Sequence, residues 1–313
     1  MTDGICHMES RFSRYLSPCP ARFRSGSPTE RLLRSSLKDL MLTSRNSWLN
    51  YSRGVQEGLF QPVRKGDFQM TLRSQAVDPP GDEDGAMAYE RDGFLVVRGL
   101  YAPDEMAEWK DRVKAILQEE GNLNNIPSGV RVWMADKLDP YFCERMRDER
   151  VARILTRVIG PNVEFLSVKA VYKNEHTSFG SPWHQDWFYW KGSHKLSVWI
   201  ALDDATPENG CLRLIPGSHR RALDMKEVDD GVGFGRRVSD EDLKGLPVTT
   251  IPARRGDAIF FHDLMVHGSH PNTSRTDRWA FISTYRDASV RDESTVWKTP
   301  MPVSGRSVPI VEG

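Results

Sequence analysis

The sequence predicts an α+β fold that is mainly β, with helices at the start of the folded region buttressing one sheet of a sandwich. Three observations carry this. Apolar residues recur at helical spacing only before residue 160. From Val163 onward, short apolar runs alternate with Gly, Pro and Asn, the pattern of strands and turns. The 313 residues also suit one barrel or sandwich with flanking segments.

The elements follow in chain order. Residues 1–76 form an Arg- and Ser-rich segment, expected to be partly disordered with one amphipathic helix. There Ser27-Pro28-Thr29-Glu30 makes a capping box with proline at the first helical position, and Leu33, Leu37, Leu40 and Met41 form an apolar stripe behind it. Residues 77–86, running through Asp78-Pro79-Pro80-Gly81-Asp82-Glu83-Asp84-Gly85, read as a linker. The main domain covers 87–290 and a C-terminal tail covers 291–313. A strand at 94–98 precedes a helix opened by Pro103-Asp104-Glu105 and striped by Met106, Trp109, Val113, Ile116 and Leu117. A second helix carries Val151, Ile154, Leu155 and Val158 to a stop at Gly160-Pro161. Strands are predicted at 163–173, 195–203, 211–215, 247–252, 257–262 and 278–286.

Composition excludes several classes. Lys plus Arg number 43 and Asp plus Glu 43, so no global field attracts nucleic acid or an acidic membrane surface. Cys6, Cys19, Cys143 and Cys211 are sparse and unclustered, against both a disulfide framework and a zinc ribbon, and suit a reducing compartment. No apolar stretch has the length of a membrane span, and the N-terminus lacks the apolar core of a secretory signal. The expectation is a soluble, cytoplasmic protein acting on a small molecule. The Arg/Ser-rich start is the one feature shared with organelle transit peptides, and Asp3, Glu9 and Glu30 weigh against that. Nothing in the sequence sets the oligomeric state.

Chemistry concentrates in Trp183-His184-Gln185-Asp186-Trp187. On an extended strand His184 and Asp186 project from one face, roughly 6 to 7 Å apart along the backbone, and both can reach one metal. A histidine from a distant strand would complete two imidazoles and a carboxylate, the facial triad of non-haem Fe(II). The bare pair is common by chance; its company gives it weight. Downstream, Arg255-Gly256-Asp257 turns into the apolar run 258–262, followed by His267-Gly268-Ser269. Arg278 then opens another apolar strand, Trp279-Ala280-Phe281-Ile282. A guanidinium at the start of a buried strand calls for an anion, which a metal-bound dicarboxylate would supply.

At these residues the sequence resembles the phytanoyl-CoA dioxygenase family of Fe(II)/2-oxoglutarate oxygenases, from about residue 88 to 287. The runs 89–100 and 198–204, the Gly160-Pro161-Asn162 turn, and the corner Asn209-Gly210-Cys211-Leu212 to Pro216-Gly217-Ser218-His219 are similar to its landmarks. The resemblance implies a double-stranded β-helix, a cupin-like jelly-roll core with the metal at its open end. It implies Fe(2+) bound by His184, Asp186 and His267, and 2-oxoglutarate held by Arg278 with Ser269 and Trp199 in contact. Gln185 and Lys169 would lie near that cosubstrate. Dioxygen is the second cosubstrate, and the reaction is hydroxylation of an aliphatic C–H with release of succinate and CO2. A carboxylate at Asp186, where related halogenating enzymes have a small residue, points to hydroxylation, desaturation or ring closure rather than chlorination.

Two other classes stay open at this point. A zinc hydrolase could use the same three ligands, although it gives Arg278 and Ser269 no task. A non-catalytic barrel could bind a small ligand. If the strand continues past the dyad, Phe188 and Trp190 share its inner face and line a substrate pocket, with core packing as the alternative. Arg131 could present a cation to an anionic substrate or to the cosubstrate. His262 and His219 read as packed structural residues, and His270 as a solvent-facing loop residue.

Overall fold

The longest strands are apolar on both faces, and this sets the architecture: each must be covered twice. The computed structural model describes residues 82–121, 129–174, 180–228, 235–274, 276–294 and 296–306. The predicted N-terminal helix and its capping box lie outside them. The first half of the chain contributes α1 (Asp82–Asp92), β1 (Phe94–Val97), α2 (Pro103–Glu119), β2 (Val130–Met134), α3 (Pro140–Arg145), α4 (Glu149–Val158) and β3 (Val163–Lys173). Then come α5 (Trp187–Trp190), β4 (Lys195–Ala201), β5 (Leu212–Leu214), β6 (Met225–Glu227), β7 (Arg236–Val238) and α6 (Asp240–Leu243). The chain continues through β8 (Thr249–Ile251), β9 (Ala258–His262), β10 (His267–Ser269), β11 (Arg278–Asp287) and β12 (Met301–Ser304).

The predicted helices form where expected. Pro103 sits in the first turn of α2 with Asp104 and Glu105 beside it, and Met106, Trp109, Val113 and Leu117 are buried. Asp148 caps α4, its carboxylate accepting the Arg150 and Val151 N–H groups. No helix among the described residues is long and apolar enough to cross a membrane.

One antiparallel sheet runs β1-β9-β4-β11-β3-β12, with β2 also paired to β3; a second runs β10-β5-β8. Alternate side chains of the large sheet enter different cores. Val168, Ala170, Val198, Ile200, Phe260 and Phe281 meet the helices through Trp109, Phe142, Val151 and Leu155. Trp199, Ala201, Ile259, Phe261 and Ala280 instead meet Leu212, Leu214 and Ile251 of the small sheet. Two opposed sheets with helices on the outer face of one are the jelly-roll core expected, with its helical buttress.

Two boundaries need correction. The segment read as a linker, 77–86, is already helical from Asp82. The described part of the segment read as a tail, 291–294 and 296–306, belongs to the fold: β12 extends the large sheet on β3, Trp297 packs with Trp190 and Leu166, and Asp292 pairs with buried Lys195 at 2.9 Å.

Candidate active site

His184 and His267 come together because their backbones exchange both hydrogen bonds of an isolated antiparallel bridge, 3.0 Å each. Their ring centroids stand 4.2 Å apart. Asp186 Oδ1 lies 3.5 Å from His184 Nε2 and 3.9 Å from His267 Nε2. Candidate ligand atoms of all three buried residues lie within 4.8 Å of one another.

The geometry differs from the expected continuous strand. His184 occupies a one-residue bridge, and Asp186 is helical (φ −64°, ψ −33°), capping the short helix α5. Phe188 and Trp190 therefore share no inner strand face. Trp190 is buried against Leu166 and Trp297 and donates its indole N–H to Asp263 at 3.1 Å. Phe188 is half-buried, its ring 5.4 Å from that of Trp187 and under the Lys191 ammonium.

The donor set fits a cation. His184 Nδ1 faces the Pro182 carbonyl at 2.8 Å and His267 Nδ1 the Met265 carbonyl at 2.9 Å. A carbonyl only accepts, so both Nδ1 atoms carry the proton and both Nε2 lone pairs face the Asp186 side. Burial and the neighbouring His184 push His267 down to about 4, so it is neutral at pH 7. Burial works to raise the Asp186 carboxyl, yet His267, Lys169 and His184 outweigh it and hold it below the usual carboxylate range. Two imidazoles and a carboxylate, aimed at one point, suit a divalent metal.

Arg278, Ser269 and Trp199 stand on the barrel face. Ser269 pairs with Leu212 and His267 with Leu214, whose side chains enter the inner core. The Arg278 guanidinium lies 5.6 Å from the Trp199 ring centroid. It is 2 % exposed, makes no ion pair among the described residues, and has no hydrogen-bond partner for Nε or Nη1. Burial pushes its pKa down to about 10. Lys169 projects from the same sheet face, paired with Ile282, its ammonium 5.4 Å over the Trp190 ring.

Two expectations fail. Gln185 is a structural bolt: its amide N–H groups donate to the Arg221 and Leu264 carbonyls and its oxygen accepts the Leu223 N–H, so no polar atom remains to face a cosubstrate. Arg131 pairs with Ala170, whose side chain faces the helices, so it leaves the sheet on the side opposite Lys169. It binds Glu120 at 2.8 Å.

A buried cation escaped the sequence reading. Lys173 is the direct cross-strand partner of Arg278 and donates to the Ser269 hydroxyl at 2.8 Å. Period two places 169, 171 and 173 on one face, but only the register with β11 brings the last of them to Arg278.

His194, His262 and Asp263 form a second set of ligand-type side chains. Here protein hydrogen bonds knit the atoms together. Asp263 accepts from His194 Nδ1, Lys195 N–H and Trp190 Nε1, and the Leu264 N–H donates to His262 Nδ1. His262 and His219 are packed, as expected, while His270 is half-buried beside the Thr250 hydroxyl rather than solvent-facing.

Residues 89–280 match the family described as phytanoyl-CoA dioxygenase (PhyH). The chain is similar to the L-proline trans-4-hydroxylase of Streptomyces griseoviridis, 27% identical over 73% of this chain and 94% of that protein. It is also 27% identical to the ectoine dioxygenase of Nocardia farcinica, over 59% of this chain and 70% of that one. The crystal structure of EctD from S. alaskensis with 2-oxoglutarate and 5-hydroxyectoine superposes with a TM-score of 0.58, 22% identity, and coverage of 80% of this chain and 91% of that one.

Proposed function

The chain belongs to the phytanoyl-CoA dioxygenase family, and we propose that it holds Fe(2+) through His184, Asp186 and His267 and 2-oxoglutarate through Arg278, Ser269 and Trp199. It is an Fe(II)- and 2-oxoglutarate-dependent dioxygenase that hydroxylates an aliphatic C–H of a small organic molecule. The observation that carries the reading is the buried, unpaired Arg278 guanidinium on the barrel face that also carries His267. A zinc hydrolase or a plain binding barrel leaves that cation without a task.

Bound iron with 2-oxoglutarate supplies activation of dioxygen for C–H hydroxylation, with release of succinate and CO2. The chain supplies orientation and charge. The two Nδ1–H bonds to backbone carbonyls hold the imidazoles with Nε2 turned toward Asp186, and Ser197 Oγ–H, 3.3 Å from Asp186 Oδ2, restrains the carboxylate. Arg278 offers two adjacent N–H groups to one carboxylate, which fixes rotation as well as position. The Trp199 ring walls that end against water, which strengthens the ion pair. With a carboxylate at Asp186 as the third ligand, the site would favour hydroxylation, desaturation or ring closure over chlorination.

Anaerobic addition of Fe(2+) and 2-oxoglutarate should give a visible metal-to-ligand charge-transfer band. Asp186→Ala should lose the band and all 2-oxoglutarate turnover, measured as succinate. Full activity in that variant would remove the ligand assignment. The substrate then comes from a metabolite screen scored by succinate release; compact amino acids and cyclic solutes of the kind the relatives' names state are the first set to test.

A further inference from the structure

We propose that Lys173 is a second cationic binding residue of the cosubstrate pocket: its ammonium fixes the Ser269 hydroxyl as a donor and, with Arg278, selects a dicarboxylic 2-oxo acid. This rests on the reading of the site as a 2-oxoglutarate pocket.

The register makes the case. Lys173 and Arg278 are direct Cα partners across β3 and β11, so their side chains leave the sheet on one face. They are 3 % and 2 % exposed. Like charges directly opposite each other repel, and burial strips each of hydration. Burial, then Arg278 and Arg213, push the Lys173 ammonium down to about 7. An arrangement this costly is offset when an anion enters between the two cations.

Hydrogen-bond arithmetic gives the second half. A hydroxyl has two acceptor positions and one proton. Ser269 Oγ accepts from Lys173 Nζ at 2.8 Å and from the Ser181 N–H at 3.0 Å, which fills both. Its proton can only be donated. In this structure it points to Ser181 Oγ at 2.9 Å, and a carboxylate oxygen is the stronger acceptor. Lys173 is also anchored by the His270 carbonyl. Gly210, at φ +102°, leaves the lane for its stem, since a Cβ there would stand 2.6 Å from Lys173 Cδ. A monocarboxylic 2-oxo acid keeps the metal-chelating end but brings no carboxylate to Arg278 or to the Ser269 hydroxyl.

The test is anaerobic calorimetric titration of iron-loaded wild type, Lys173→Met and Lys173→Gln with 2-oxoglutarate and with 2-oxobutanoate. Lys173→Met should weaken 2-oxoglutarate about tenfold to a hundredfold and leave 2-oxobutanoate within about twofold. Lys173→Gln, a shorter and neutral donor, should fall between. Equal losses for both acids, or an unchanged 2-oxoglutarate affinity, would overturn the proposal. Iron stoichiometry and the unfolding midpoint report on the fold; should the Met variant not fold, the Gln variant decides by the same ratio. Wild type that binds iron but no 2-oxoglutarate would sink the pocket reading itself, an outcome distinct from an idle Lys173.

Discussion

Arg278 gives up its hydration at 2 % exposure and gains no carboxylate in return among the described residues. The Asp203 carboxylate fixes the backbone next to it, accepting the Trp279 N–H at 3.1 Å, so the guanidinium is held in place before any ligand arrives. Arg278→Met should keep iron binding and weaken 2-oxoglutarate roughly a hundredfold, on the order of 2 to 3 kcal/mol for a charge-assisted pair, read as the concentration needed for the charge-transfer band. At this scale the sequence was legible where chemistry is written into residue type. A histidine and a carboxylate two apart, and an arginine opening an apolar strand, identify themselves. Residues whose task depends on direction did not. Gln185 lies between two ligands yet turns into the interior to bind three backbone groups, and Lys173 looks like the end of a strand until its partner is known.

The short helix α5 is the element on which the metal group depends most, because Asp186 is its N-cap. Asp263 pins it: its main-chain carbonyl accepts the Trp187 N–H at 3.0 Å, and its carboxylate accepts Trp190 Nε1 and the Lys195 N–H. Asp263→Ala would leave those two buried N–H groups without an acceptor and His194 without its charged partner. Unfolding in urea should reveal a loss of about 3 kcal/mol or more, and iron content should fall with it. The far side of α5 is clamped by the C-terminal segment. Asp292 accepts the Ser193 N–H and the Lys195 ammonium, both at 2.9 Å, and Trp297 packs on Trp190. Truncation after residue 290 should therefore strand a buried lysine and open the β3 edge. A drop of several degrees in the unfolding midpoint, with weaker iron retention, is the expected result; an unchanged midpoint would return these residues to the status of a tail. Sequence missed this because β12 is four residues long and contains a proline, too little pattern to declare a strand.

Across the whole molecule, strand positions were legible and strand pairing was not. β3 is buried along nearly its full length and β4 and β9 throughout, so they read as apolar runs that locate a strand without naming its neighbours. The jelly roll followed from the resemblance in the motifs rather than from periodicity. That double burial also produces a global pH response. His219 is pushed down to about 3 by burial, His262 and Arg220, and His262 is lowered chiefly by burial. His219 stays neutral in the folded chain where an unfolded chain would take up a proton below its ordinary 6.5, and His262 is shifted in the same direction. Between these limits the unfolded state binds more protons, so stability must fall as pH falls. The expected slope is up to about 1.4 kcal/mol per pH unit for each such histidine, starting near pH 6.5. The buried carboxylates Asp186 and Asp263 are both lowered, so their loss adds only in stronger acid. Urea unfolding of the metal-free protein from about pH 7 down to about pH 5 measures the slope. His219→Gln, which can still donate to the Glu90 carbonyl that His219 meets at 3.2 Å, should flatten it, and an unaltered slope would show that His219 titrates alike in both states.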